Sequence, residues 1–353
     1  MDKVAEDQLN WLGQNPLVSL FNDGVSSLSA KRDALELPNP GTFENVSSEL
    51  TKGVFLTNLQ FTGLRADTAK IFGIAPLFQV SHSFSMGAGG PGALPPYNLS
   101  ALFGTNKTFL QANLDNEGQL SARFNYRWSP KSVTRSNVQV APGSSQAMLQ
   151  LDQDYVGKDF TASIKAFNPS VLDGGLTGIV IGQYLQSVTK SLSLGLETVW
   201  QRQSMAASPE ALVSYVARYQ GSGWVASAGL QAAGALQMTY WRKLAERVEA
   251  GVESVLKVAP VRPGVFAGEG ITTIGAKYDF RQSSLRAQVD TSGKLGVHLE
   301  RRVAPMVTLA FSGEMDHYKS TAKVGLSVSI ENASEEVMEQ QQQPNAPSIS
   351  IPF

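Results

Sequence analysis

From about residue 54 to residue 330 the chain alternates apolar and polar positions in runs of roughly ten residues. A two-residue period puts successive side chains on opposite faces of a strand, so each run predicts a strand that is greasy on one face and polar on the other. In residues 192–201, Leu192, Leu194, Leu196, Thr198 and Trp200 oppose Ser193, Gly195, Glu197 and Gln201. Leu120, Ala122, Phe124, Tyr126 and Trp128 stand likewise against Ser121, Arg123, Asn125 and Arg127, and Val324, Leu326, Val328 and Ile330 against Lys323, Gly325, Ser327 and Ser329. Such a sheet needs a different solvent on each side. Aromatics near the ends of the runs, at Tyr126, Trp128, Trp200, Tyr219, Trp224, Tyr240, Trp241, Tyr278 and Phe280, fit the interfacial girdles of a membrane barrel.

Turn-forming clusters of Gly, Pro, Asn, Asp and Ser divide this region into about 19 strands. Alternating antiparallel strands close only in even numbers, so an odd count demands one parallel pairing between the first and last strands. The predicted fold class is therefore all-β, a closed transmembrane β-barrel. The register is weakest in residues 54–61 and 176–185, where apolar residues occupy both faces. An uncharged stretch at 219–241 is long enough for a membrane helix. Its Gln220, Gln231 and Gln237 and its four glycines disfavour that reading, and its own two-residue period supports a hairpin.

The flanks do not alternate. In residues 1–48, Leu17, Leu20, Phe21, Val25 and Leu28 follow helical spacing behind an Asn15–Pro16 start, and Thr42 precedes a second short helix with Phe43, Val46 and Leu50 on one side. Two amphipathic segments pack on something apolar or line or plug a pore, and only a pore lumen or a partner offers them a surface. The predicted organisation is an N-terminal segment at 1–48, a barrel at 49–330, and a polar tail at 331–353 whose glutamines, glutamates and prolines cannot bury enough apolar area to order it.

Composition narrows the function classes. With 17% charged residues and a mean hydropathy of −0.10, the chain is too polar for a helical membrane protein. It has no cysteine, so neither a disulfide framework nor a thiolate metal site is available. A net charge of −1 argues against nucleic acid as a partner. Residues 1–10 lack the basic and apolar regions of a secretory signal. Gly87, Gly89 and Gly92 satisfy G-x-G-x-x-G, but prolines follow where a helix should open. His82, His298 and His317 have no ligand spacing. No catalytic residue, metal or cofactor is expected.

The stretch PNPGTFENVSSELTKGVFLTNLQF at 38–61, KLGVHLERR at 294–302 and KVGLSVSI at 323–330 resemble the channel-forming subunits of the translocase of the mitochondrial outer membrane (TOM complex), in a fungal form, within the mitochondrial porin superfamily. The resemblance spans about residues 10–330. It implies a 19-strand barrel with helical segments threaded through the pore, conducting unfolded precursor proteins into mitochondria. It also implies partners: a receptor subunit with one transmembrane helix, small single-span subunits, a second copy of the barrel, and the sorting and assembly machinery that inserts it among the membrane lipids. That machinery reads a C-terminal β-signal, which here matches Lys323, Gly325, Val328 and Ile330.

If the apolar register faces lipid, the lumen receives Asp152, Asp154, Glu197, Glu249, Glu253, Asp279, Asp290, Glu300 and Glu314. Confined carboxylates concentrate cations, which suits basic presequences. Arg123, Arg127, Arg135, Lys165, Arg218, Lys257, Lys277 and Arg286 also point inward, so the expectation concerns acidic patches rather than overall charge. Uncharged Gln79, Ser81, Ser83, Gln111 and Asn113 form a separate polar stretch for less basic precursors. Two other readings compete: a metabolite or anion channel of the mitochondrial porin type, and a scaffold whose small lipid-facing residues, such as Ala226 and Ala228, let partner helices pack closely.

Overall fold

The computed structural model describes Arg32 and residues 35–87, 95–143, 147–170, 175–204, 206–262 and 265–333. The pore-helix positions Leu17, Leu20, Phe21, Val25 and Leu28, and the tail beyond residue 333, lie outside the described residues. A 3-10 turn at Phe43–Asn45 and a short helix α1 at Ser48–Thr51 precede the strands. The first ten strands are β1 (Gly63–Ile74), β2 (Leu77–Met86), β3 (Tyr97–Gly104), β4 (Thr108–Asp115), β5 (Leu120–Ser129), β6 (Ser132–Val140), β7 (Met148–Val156), β8 (Phe160–Ser170), β9 (Thr177–Ser187) and β10 (Leu192–Arg202). They are followed by β11 (Glu210–Gly221), β12 (Trp224–Leu230), β13 (Ala235–Ala245), β14 (Val248–Arg262), β15 (Val265–Asp279), β16 (Ser283–Asp290), β17 (Lys294–Ala304), β18 (Val307–Asp316) and β19 (Thr321–Ala333).

The 19 strands form one sheet in which each pairs with its sequence neighbours, and β1 closes against β19. That seam alone is parallel, with Gly63 opposite Gly325 and Asp67 opposite Ser329. Parity and closure thus follow the strand count. Closure also removes every free sheet edge, which a bilayer would leave without hydrogen-bond partners.

Burial is inverted relative to a soluble protein. Asn125, Asp152, Asp154, Ser163, Lys165, Arg218, His298 and Ser312 are among the buried side chains, whereas Leu64, Phe124, Ile164, Leu194, Ile274 and Val324 are exposed on the outer face. Outward aromatics pack together near the rims: Tyr126 edge-on to Trp128 at 4.9 Å, Tyr219 stacked on Trp224 at 5.2 Å and Tyr278 tilted against Phe280 at 4.4 Å. Trp241 departs from the expected girdle. Its register is inward, where it packs on Leu50, Val54 and Phe55 and its Nε1 donates to Glu249 Oε2 at 3.4 Å.

The alternation anticipated from residue 54 becomes a strand only at Gly63. Residues 54–62 are irregular, and Val54, Phe55 and Leu56 are buried together with Leu50. Apolar residues on both faces suit a segment enclosed on both sides better than a wall strand with one wet face. Thr42 precedes the 3-10 turn but makes no side-chain cap.

Candidate functional site: the strapped lumen

The segment 35–62 is a strap across the lumen. Turns that leave odd-numbered strands form one rim of the barrel, here called the odd rim, and the remaining turns form the even rim. The strap is tied at the odd rim, where Asn39 Nδ2 donates to the Gly157 and Phe160 carbonyls at 2.9 and 3.1 Å and Ser187 Oγ donates to the Pro38 carbonyl at 2.7 Å. Just ahead of it, Arg32 pairs with Asp159 at 2.6 Å. The strap then runs along the inner wall towards the even rim, where β1 begins.

Two ion pairs fix its first half. Lys165 on β8 pairs with Glu44, and Arg218 on β11 pairs with Glu49. Arg286 on β16 donates to the Lys52 carbonyl at 3.2 Å. The second half sits on glycines. A Cβ built on Gly275 would lie 2.7 Å from the Phe55 ring and 3.3 Å from Val54, one on Gly296 would lie 3.0 Å from Leu56, and one on Gly325 would meet the Phe61 carbonyl and ring. Gly251 makes the same room for Leu50. Side chains on β14, β15, β17 and β19 would occupy the space the strap needs. Wall side chains also accept from two strap amides: Leu56 N–H donates to Gln288 Oε1 at 2.9 Å, and Phe61 N–H to Ser312 Oγ at 3.4 Å. Leu50, Val54, Phe55 and Leu56 are at most 4% exposed, and burying each such side chain contributes about 1.5–3 kcal/mol.

All nine acidic positions singled out from the sequence fall on the inward register, but they are not equivalent. Asp152 and Asp154 are buried. Arg135, Asp152 and Lys165 sit directly opposite one another on β6, β7 and β8, and Arg135 also bonds Asp154 at 2.9 Å. Asp279 pairs with Lys277 at 2.8 Å. Asp290 accepts from Ser292 Oγ at 2.6 Å and the Lys294 amide at 3.0 Å, which ties it to a turn. Glu197 accepts from Gln183 at 2.6 Å and Glu253 from Gln237 at 2.6 Å. Among the described residues, Glu197, Glu249, Glu253, Glu300 and Glu314 have neutral or no hydrogen-bond partners and no ion pair within 4.0 Å.

The strap's hydrogen bonds, ion pairs and glycine seats fall on the side of the wall from the β7–β8 turn to β19. The other side, β1 to β6, carries Gln79, Ser81, Ser83, Gln111 and Asn113 inward, and a polar hollow of about 820 Å³ opens there beside Ser83, Asn98, Asn113 and Ser121. Asn113 Nδ2 donates to Ser121 Oγ at 3.3 Å. The lumen thus has a strapped side and an open side, and on the open side the stretch at Gln79, Ser81, Ser83, Gln111 and Asn113 is uncharged although Arg65, Asp67, Asp115, Arg123 and Arg135 share its inward register.

On β19, Lys323 lies opposite Glu314 on the lumen face, while Val328 and Ile330 take the lipid register. Gly325, without a side chain, leaves room on the lumen face. In the closed barrel that room holds Phe61. Sequence reasoning did not identify Glu44, Glu49 or the seat glycines Gly251, Gly275 and Gly296. Their signal was present as glycines at inward positions together with a two-faced apolar run at 54–61.

Residues 39–325 match the eukaryotic porin family. The mitochondrial import receptor subunit tom40 of Neurospora crassa is 50% identical over 352 residues, covering 99% of each chain. Its Saccharomyces cerevisiae counterpart is 43% identical over 340 residues, covering 92% of this chain and 86% of the relative. The Xenopus tropicalis homologue is 30% identical over 321 residues, covering 87% and 89%. Because the identity extends over almost the whole chain, strap and barrel alike, this protein belongs to the Tom40 family of mitochondrial import receptor subunits within the eukaryotic porins.

Proposed function

We propose that this barrel is the conduit through which unfolded precursor proteins cross the mitochondrial outer membrane, in which it is an integral β-barrel. The observation that carries this reading is the divided lumen in a chain half identical to a named import receptor subunit: a wet path that the strap narrows but leaves open along β1 to β6. The mechanism is passive. Glu253 and Glu300, with no cation directly opposite them among the described residues, and Glu249 and Glu314, which face Lys243, Lys277 and Lys323 without an ion pair within 4.0 Å, attract basic presequences. The uncharged stretch at Gln79, Ser81, Ser83, Gln111 and Asn113 carries segments that lack such charge. Weak, successive contacts allow a chain to enter and also to leave. No lumen residue is assigned a chemical step, so direction comes from partner subunits: a single-span receptor, small single-span subunits and a second barrel. Lys323, Gly325, Val328 and Ile330 serve as the assembly signal on the last strand, and small outward residues such as Ala226 and Ala228 favour close packing of partner helices.

In a planar bilayer, the refolded protein is expected to open as a large cation-selective pore that a basic presequence peptide blocks in a voltage-dependent way. Replacing Glu249, Glu253 and Glu300 with glutamine should weaken that block by on the order of tenfold, because wall charge sets the local concentration of cations. Anion-selective openings indifferent to the peptide would instead identify a metabolite pore.

A further inference from the structure

We infer that the strap carboxylates Glu44 and Glu49 set the charge selectivity of the lumen by cancelling Lys165 and Arg218. The inference rests on the conduit reading and assigns part of its cation preference to a segment that is not barrel wall.

Lys165 and Arg218 are deeply placed, with 8% and 10% of their side-chain surface exposed. Glu44 and Glu49 lie on their lumenal side and are more open, at 51% and 31%. A species in the pore therefore meets the carboxylate before the cation. Across the sheet the Lys165 charge is already shared with Asp152 on β7, whereas the residues directly opposite Arg218, Ser193 and Ser227, carry no charge. Arg286 is likewise covered by the Lys52 carbonyl.

The strap holds these charges in place rather than presenting them loosely. Tied at Pro38 and Asn39 and continuous with β1 at Gly63, it is anchored at both ends, and the glycine seats fix the half beyond Glu49. Charges at fixed positions in a narrow aqueous path act on every ion that passes. With the strap carboxylates neutralised, Arg218 would stand without a compensating charge and Lys165 would be left with only its share of Asp152, so the lumen would gain net positive charge.

The test uses the full chain, which has no cysteine of its own. A disulfide between Pro38→Cys and Ser187→Cys, whose parent residues are hydrogen bonded at 2.7 Å, pins the odd-rim end of the strap in every variant, and its other end is continuous with β1. Reversal potentials in a potassium chloride gradient then give the cation-to-anion permeability ratio. Glu44→Gln with Glu49→Gln should lower that ratio by roughly twofold or more. Lys165→Gln with Arg218→Gln should raise it, and the fourfold variant should return near the parent value. An unchanged ratio in the disulfide-held Glu44→Gln/Glu49→Gln protein would overturn the inference. Potassium and chloride report this independently of peptide block, so a parent pore that ignores presequence peptide counts against the conduit reading and leaves the selectivity result standing.

Discussion

Replacing Gly275 with alanine is expected to lift the strap from the wall while leaving the barrel closed. The added methyl would lie 2.7–2.8 Å from the Phe55 ring and 3.3 Å from Val54, and all three nearest atoms belong to the strap. Overpacking of this kind costs about 1–3 kcal/mol. That matches the roughly 1.5–3 kcal/mol gained by burying one large apolar side chain, so the substitution competes directly with the seating of Phe55. Hydrogen exchange should detect the change at the Val54 and Phe55 amides, both of which donate to the Leu50 carbonyl at 3.0 Å. Their protection should fall at least tenfold, the equivalent of about 1.4 kcal/mol, while amides of the β14–β15 ladder keep theirs. Gly229→Ala is the control, because Gly229 shares the inward register and a Cβ there finds its nearest neighbour at 3.8 Å. Phe55→Ala in the Gly275→Ala background should show strong coupling in a double-mutant cycle, since the two residues share one contact. Gly251 tests the seat less cleanly: its Cβ would also stand 2.7 Å from the Tyr240 carbonyl, a barrel atom. Equal loss of protection throughout the sheet in Gly275→Ala would show that the glycine serves strand packing and not the strap.

The barrel was legible because its code is simple. Leu192 to Trp200 and Val324 to Ile330 announce a lipid face by period alone, and the odd strand count carries the parallel seam with it. The strap was not legible for the same reason. Val54, Phe55 and Leu56 resemble a poor strand because they are apolar in sequence, yet what encloses them is a set of backbones more than 190 residues away. Trp241 looked like a girdle residue beside Tyr240. Only the pairing of Trp241 with Gly251 reveals that it faces Leu50. The acidic positions illustrate a different limit. Alternation placed all nine on the correct face, but whether a carboxylate is available to a passing peptide depends on its neighbours across the strands. Asp154 is held by Arg135, whereas Glu300 has no such partner among the described residues.

Lys165→Met is expected to cost about 3 kcal/mol of barrel stability, the low end of the range for breaking a buried ion pair from one side. Lys165 and Arg135 flank Asp152 across the sheet, and Asp152 is only 4% exposed. Removing the ammonium leaves Asp152, Asp154 and Glu44 to share Arg135, with Asp152 too enclosed for water to replace the lost charge. Glu44 moderates the cost because it is half exposed and can be hydrated. Glu44→Gln alone should therefore cost about 1 kcal/mol or less. Adding Asp152→Asn to Lys165→Met should restore at least half of the loss. The Asn oxygen can still accept from Gln150 Nε2, which now lies 2.8–3.0 Å from the Asp152 oxygens. Urea midpoints in lipid measure all three variants. The order matters more than the absolute values: a large loss for Lys165→Met, partial rescue by Asp152→Asn and a small loss for Glu44→Gln assign Asp152 to the structure of the wall and leave Glu44 to act on the lumen. If Glu44→Gln were as damaging as Lys165→Met, the strap pair would instead be part of what holds the barrel together.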